Sequence, residues 1–246
     1  MKYLILALIS TTCFAISGLE VMQKVEKKSQ GYIGSESKMV MTLIDAHGTS
    51  VERVLKSKAL ENIKEGDKSI SEFIKPKDIK GTKLLTWTSK SDTNKQWLYL
   101  PKFKRIKKIN SKNQSGSFMG SEFSYEDIGG QVLDKYDYKL LKETATEYIV
   151  QSIPKSKSGY SKMITTIIRK DFSVKNIEYY NRRGDLLKVS TLGEYTTYKA
   201  NKKDFFLADR IEMTNKLTKK KSILEWSDRK LGLKFNNSQF KSSKLK

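Results

Sequence analysis

The residue types that most often carry catalysis are nearly absent from this chain. Its one histidine, His47, falls in Asp45-Ala46-His47-Gly48, where the aspartate and glycine mark a hairpin turn and make a solvated or structural imidazole the expectation. Its one cysteine is Cys13. One His and one Cys are too few for a Ser-His-Asp relay, a Cys-His pair with its orienting group, or a His/Cys zinc site. Glu126 and Asp127 are adjacent acids in a polar stretch, Phe118 to Gly130, that reads as a loop with a short helix, where acids serve as caps or solvated charges. Gly116, Gly120, Gly129 and Gly130 lack the spacing of a phosphate-binding loop. Neither an enzyme, a metal site nor a cofactor is expected, which leaves binding.

The residues best suited to binding form a basic tract from Lys95 to Lys112. Lys95, Lys102, Lys104, Arg105, Lys107, Lys108 and Lys112 occur there without an acid, and Trp97, Tyr99 and Phe103 interleave. The whole chain carries a formal net charge of +21, and its mean hydropathy of −0.57 describes a very polar surface. Such a balance points to an anionic partner, nucleic acid or membrane surface. A strand edge kept from aggregating by its lysines accounts for the same residues.

The N-terminus decides between these partners. Lys2 followed by the apolar run Tyr3 to Ile9, then small residues with Ala15 and Ser17 at possible cleavage positions, has the layout of a secretory signal peptide over residues 1–17. Export argues against nucleic acid and for lipid headgroups, with Lys102, Lys104, Arg105, Lys107 and Lys108 as candidate contacts. Lipid anchoring at Cys13 is the lesser alternative, because Ser10, Thr11 and Thr12 precede it where a lipoprotein signal has an apolar residue and then small ones. No later segment approaches the roughly 20 apolar residues of a membrane span.

The rest, residues 18–246, is expected to be one domain. Leu19, Met22 and Val25 give a helical apolar stripe over Leu19 to Lys28, ended by Gly31. Strands are then expected at Ser35–Leu43, Val51–Leu60, Lys83–Thr88, Trp97–Leu100, Tyr148–Ile153, Lys162–Arg169, Val174–Asn181 and Leu186–Tyr195, with a turn at Asn181 to Asp185. Phe205, Leu207, Ile211, Met213 and Leu217 alternate with polar residues, as do Leu231, Leu233 and Phe235. The three prolines lie near strand ends, which fits an antiparallel meander. With few helices to cover so much sheet, the sheet must curl on itself and leave a concave apolar face, large enough to enclose a ligand cavity.

One ordered set of motifs is more specific. Gln96-Trp97-Leu98-Tyr99-Leu100-Pro101, the basic segment Lys104 to Ile109, and Ser115-Gly116-Ser117-Phe118-Met119-Gly120-Ser121-Glu122-Phe123-Ser124-Tyr125-Glu126-Asp127 resemble the outer-membrane lipoprotein-sorting protein family, a LolA-like group. Ile79-Lys80-Gly81-Thr82 and Trp87 join the likeness, which is close over about residues 68 to 130. It implies a mainly β fold, a curved antiparallel half-barrel of the LolA/LolB kind with a short helical lid over an apolar concave face. It further implies a monomeric periplasmic carrier of lipoprotein acyl chains or another lipid, passing cargo from an inner-membrane transporter to an outer-membrane acceptor, with no enzymatic activity. The alternative is a non-carrier accessory subunit of a lipid exporter of the resistance-nodulation-division type or of another envelope complex. On the carrier reading, Trp97, Tyr99, Phe103, Phe118 and Met119 are candidates for the wall or rim of the cavity.

Overall fold

The computed structural model describes residues 16–246; residues 1–15, which hold Cys13 and most of the signal peptide expected over residues 1–17, lie outside the described part. The alternating segments form thirteen strands: β1 Gly34–Ile44, β2 Ser50–Leu60, β3 Lys68–Lys75, β4 Lys83–Trp87, β5 Lys95–Leu100, β6 Arg105–Ile109, β7 Tyr136–Glu143, β8 Glu147–Pro154, β9 Lys162–Ile168, β10 Val174–Tyr180, β11 Leu186–Ala200, β12 Lys203–Asn215 and β13 Lys221–Leu231. Two helices join them, α1 Gly18–Ser29 and α2 Tyr125–Gly129. All strands share one antiparallel sheet, ordered β6-β5-β4-β3-β2-β1-β13-β12-β11-β10-β9-β8-β7. The chain thus starts mid-sheet, meanders out to the β6 edge, crosses to the β7 edge through residues 110–135, and meanders back until β13 pairs with β1.

Residues opposite one another in register share a face, so the pairing sorts the side chains. Met41, Leu55, Phe73, Leu84, Leu98, Met163, Tyr179, Met213 and Leu224 fall on one face and join a single buried cluster spanning the sheet. That face is the concave one, and the fold is the expected mainly β half-barrel, a curved open sheet with a helical lid. Leu85, Trp87, Trp97, Tyr99 and Ile106 point to the outer face and pack against Phe235, Phe240 and Leu245 of the C-terminal segment. Trp87 Nε1–H donates to the Phe240 carbonyl at 2.7 Å, tying this strap across the outer surface.

The lid is α1. Ser17 caps it: Glu20 N–H donates to Ser17 Oγ at 3.2 Å and Ser17 N–H to Glu20 Oε2 at 2.7 Å, a capping box whose backbone donor lowers the Glu20 pKa. Val21 and Met22 are buried against Tyr148, Val150 and Ile167, and each such burial is worth about 1.5–3 kcal/mol. The helix N-terminus lies so close to β7 that a Cβ on Gly18 would stand 2.7 Å from Leu140 N. At the other end Lys203 Nζ donates to the carbonyls of Lys27, at 2.7 Å, and Gln30, placing a cation where the helix dipole favours one.

Four strands were not expected from periodicity, and their composition says why. β3 (Lys-Ser-Ile-Ser-Glu-Phe-Ile-Lys), the basic β6 and β13 bury only one or two side chains fully, and β7 is an edge strand with none. Leu217, expected on the apolar face of β12, sits instead in the β12–β13 turn. The period of two expected through Leu233 and Phe235 breaks when β13 ends at Leu231 and the chain turns at Gly232 onto the outer face.

Candidate functional site

The concave face divides into two halves along the strands. The half towards the β1–β2 and β12–β13 turns is filled by residues 115–129 of the edge-to-edge crossing, the segment with the Ser-Phe-Met-Gly-Ser-Glu-Phe-Ser-Tyr-Glu-Asp motif. Phe118 and Phe123 are buried in the main cluster, with Met119, Tyr125 and Ile128 against it. Phe118 lies between Phe73 (ring centroids 5.8 Å) and Tyr125 (5.5 Å, edge-on). Polar ties fix the plug to strands far apart in the sheet. Gln96, fully buried on β5, donates from Nε2 to the Tyr125 carbonyl at 2.8 Å. Arg53 on β2 donates to the Met119 carbonyl. Asn215 Nδ2 donates to Glu122 Oε2 at 2.7 Å. Lys188 on β11 meets Asp127 Oδ2 at 2.6 Å and also donates to the Glu122 carbonyl at 2.8 Å. Asp127 further accepts from Tyr160 O–H at 2.7 Å and from Ser124 N–H at 2.6 Å. Burial pushes the Tyr160 phenol well up, with Asp127 beside it adding to the shift. The two acids the sequence singled out are therefore structural: Asp127 is the buried anchor, and Glu126 accepts from Ser158 Oγ and from Gly159 N–H at 2.9 Å.

The other half stays open beneath α1. A groove of about 420 Å³ runs between the lid and β1, β2, β3, β12 and β13, floored by Ser35, Ser57, Ala59, Ser69, Leu207 and Trp226. It is within the roughly 300–1,000 Å³ of ligand pockets generally. Beside it a second cavity of about 180 Å³, bordered by the same Glu26, Ser29 and Gln131, is apolar: Met22, Val25, Leu133, Tyr138, Val174 and Ile177 line it with Thr165. Thr165 is buried and its Oγ1 has no protein partner, as is also true of Ser152 and Ser190 Oγ on the same face. At the mouth stand Glu26, Asp67 and Tyr32; burial raises the pKa of all three. Arg229 closes one side, paired with Asp209 at 2.9 Å, and Tyr198 O–H donates to the same carboxylate at 2.6 Å. The arrangement provides an elongated slot, apolar at one end and polar at the other. Among the described residues, no group of three or more His, Cys, Asp or Glu is placed to hold a metal ion.

The residues expected to line the cavity are scattered. Trp97 and Tyr99 are on the outer face under the strap, not the concave one. Phe103 projects into solvent from the β5–β6 turn, 62% exposed. Phe118 is in the concave half, but as part of the plug, and Met119 is at its tip. Lys102, Lys104, Arg105, Lys107 and Lys108 are exposed on or beside the β6 edge and are not part of the groove, whose floor reaches no nearer that edge than β3, three strands in. The groove's own residues were missed because serines and small side chains on strands carry no signal of a site; the helical stripe through Met22 and Val25 was the one available clue.

The fold and site thus define an open antiparallel half-barrel whose concave face is shared between a plug and a lidded groove. The chain belongs to the outer-membrane lipoprotein-sorting, LolA-like family. It is 34% identical to a Vibrio parahaemolyticus domain named for outer membrane lipoprotein sorting, with 93% of this chain and 97% of that one covered at a TM-score of 0.88. A DUF1329 family protein from Desulfovibrio piger superimposes at 0.85 (22% identity, 93% and 98% covered), and a LolA superfamily protein from Nitrosomonas europaea at 0.74 (17% identity, 92% and 98% covered). These two speak for the fold alone. A family model described only as an uncharacterized protein matches residues 65–246. No curated protein matches the chain.

Proposed function

We propose that the protein is a periplasmic carrier that holds lipoprotein acyl chains or another lipid in the groove beneath α1 and moves it between an inner-membrane transporter and an outer-membrane acceptor, without catalysis. The observation that carries this reading is the groove itself, roofed by one amphipathic helix and adjoining an apolar cavity lined by Met22, Val25, Val174 and Ile177. Each methylene moved from water into such a place is worth about 0.8 kcal/mol, so a modest slot retains a chain that water rejects. The domain begins at α1, and signal cleavage after Ala15 would keep Ser17 as its cap, whereas cleavage after Ser17 would remove it.

The test begins with the mature chain purified without detergent and mass spectrometry of its organic extract. A stoichiometric lipid or acylated peptide supports the carrier. A fluorescent fatty acid should bind, and Ala59→Trp or Val25→Trp should weaken it about tenfold or more by filling the slot. One observation favours the accessory-subunit reading: the plug already occupies half of the concave face with its own side chains. A clean extract with no fatty-acid binding would establish that reading instead.

A further inference from the structure

In an antiparallel meander, alternate turns emerge at the same end. The turns at 45–49, 76–82, 101–104, 155–161, 181–185 and 216–220 therefore form one rim, and those at 61–67, 88–94, 144–146, 169–173 and 201–202 the opposite one. Direct contacts within the first rim agree, with Arg182 Nε donating to the Ser158 carbonyl at 3.0 Å. Charge is divided very unevenly between them. The first rim's turns hold eleven Lys and Arg against three Asp, and all eleven are exposed; the second rim's hold five bases against five acids. Of the eleven, Lys155 alone has an acidic partner among the described residues, Asp137 at 3.8 Å. The net charge of the chain is thus not a uniform coat of lysine.

Apolar side chains project from the same basic rim. Phe103, 62% exposed, stands between Lys102 and Lys104 at the tip of the β5–β6 turn, and Leu217, 64% exposed, stands among Lys216, Lys219 and Lys220 at the tip of the β12–β13 turn. They are the two most exposed large apolar side chains among the described residues, and Val51, at the start of β2, is also at this end. An apolar tip ringed by cations gains twice at a bilayer: the cations meet anionic headgroups at roughly 1 kcal/mol each, and the aromatic or aliphatic tip enters the interface.

We propose that this basic rim is a docking surface for an anionic phospholipid bilayer, with Phe103 and Leu217 as the inserting tips. An acidic protein face would satisfy the charges but gives no reason for lone apolar side chains at separate turn tips. The groove's polar mouth, at Glu26, Glu61 and Asp67, lies towards the opposite rim, whose charges balance. A docked molecule would therefore hold its groove open to solvent, away from the bilayer. The surface is independent of what the groove holds.

The mature chain is tested by co-sedimentation with vesicles of phosphatidylcholine alone and of phosphatidylcholine with phosphatidylglycerol, at low and high salt. Binding is expected only to the anionic vesicles and should weaken as salt rises. Lys102→Glu/Lys104→Glu/Lys219→Glu/Lys220→Glu should reduce it at least about tenfold, Phe103→Ser/Leu217→Ser should reduce it in part, and Lys64→Glu/Lys170→Glu at the opposite rim should leave it near the parent. All are surface changes, and circular dichroism checks that each variant is folded. No anionic-vesicle binding, equal loss in the opposite-rim control, or binding to an oligonucleotide but not to vesicles would overturn the proposal.

Discussion

Lys188 and Asp127, 61 residues apart, meet at 2.6 Å with side chains only 5% and 6% exposed. The lysine stands 5.4 Å from the ring centroids of both Tyr160 and Tyr179, so its charge is met by one carboxylate, one carbonyl and two aromatic faces. The pair joins the short helix of the plug to the middle of the sheet. A plug with this anchor is a fixed part of the fold, which confines any cargo to the other half of the concave face.

Breaking the pair on one side leaves a buried charge without compensation. Lys188→Met should cost about 3–5 kcal/mol, lowering Tm by on the order of 10 °C for a chain of this size. Adding Asp127→Asn, whose amide oxygen can still accept from the Ser124 N–H while its Nδ2 donates to the Tyr160 hydroxyl oxygen, should recover more than half of that loss. Thermal denaturation of both variants checks this, and a single variant within 2 °C of the parent would show the pair is incidental.

Thr165 carries a hydroxyl that packing has cut off from water and from protein partners. A buried group left unbonded costs about 1–3 kcal/mol, so Thr165→Val, the same shape without the hydroxyl, should raise Tm by a few degrees in the ligand-free protein. If a ligand's polar atom meets that hydroxyl in the apolar cavity, the same variant should bind the ligand more weakly. A lower Tm would mean the hydroxyl is already satisfied.

The motifs and the alternation made the half-barrel legible, but the orientation of β5 was not. Gln96, Leu98 and Leu100 alternate with Trp97 and Tyr99, and both sets are buried or half-buried. In most antiparallel sheets one face meets water, so the aromatic set is the natural choice for the inside. Here the strap from Leu233 onward covers the outer face of β3 to β6, and Phe240 supplies the cover. A tail of Asn, Ser and Lys with isolated apolar residues gives no local sign of that role. Gln96, polar in sequence, turns out to face the concave half, where its fully buried amide pairs the Tyr125 carbonyl.

The strap should therefore be worth more than its composition suggests. Phe240→Ala removes a fully buried ring that packs at 6.0 Å against Phe235, at a cost of about 3–5 kcal/mol. Loss of the strap would also expose Trp87 and Trp97, whose rings lie 5.0 Å apart nearly edge-on. The red shift of their fluorescence should come at lower denaturant than the loss of far-ultraviolet circular dichroism. Coincident transitions in the variant would mean that the strap and the sheet unfold as one unit.

Asp67 at the groove mouth makes a prediction with a sign. Burial raises its pKa, Glu61 nearby adds to the rise, and the Asn62 N–H at 2.8 Å and Lys90 hold it back. Because the folded pKa is above the unfolded one, the folded state favours the protonated acid. The penalty for ionising it is absent below about pH 4, the ordinary range of an aspartate, and grows as the pH rises through the folded value. Asp67→Asn keeps the acceptor for Asn62 and removes the charge, so it should raise Tm at pH 7 and leave it unchanged near pH 3. Glu26 across the mouth is shifted in the same direction, again mainly by burial. Tm measured from pH 3 to pH 8 for the parent and the variant decides it. A gap that is constant with pH, or wider in acid, would mean that Asp67 is stabilising as a charge and that the mouth is better hydrated than its geometry implies.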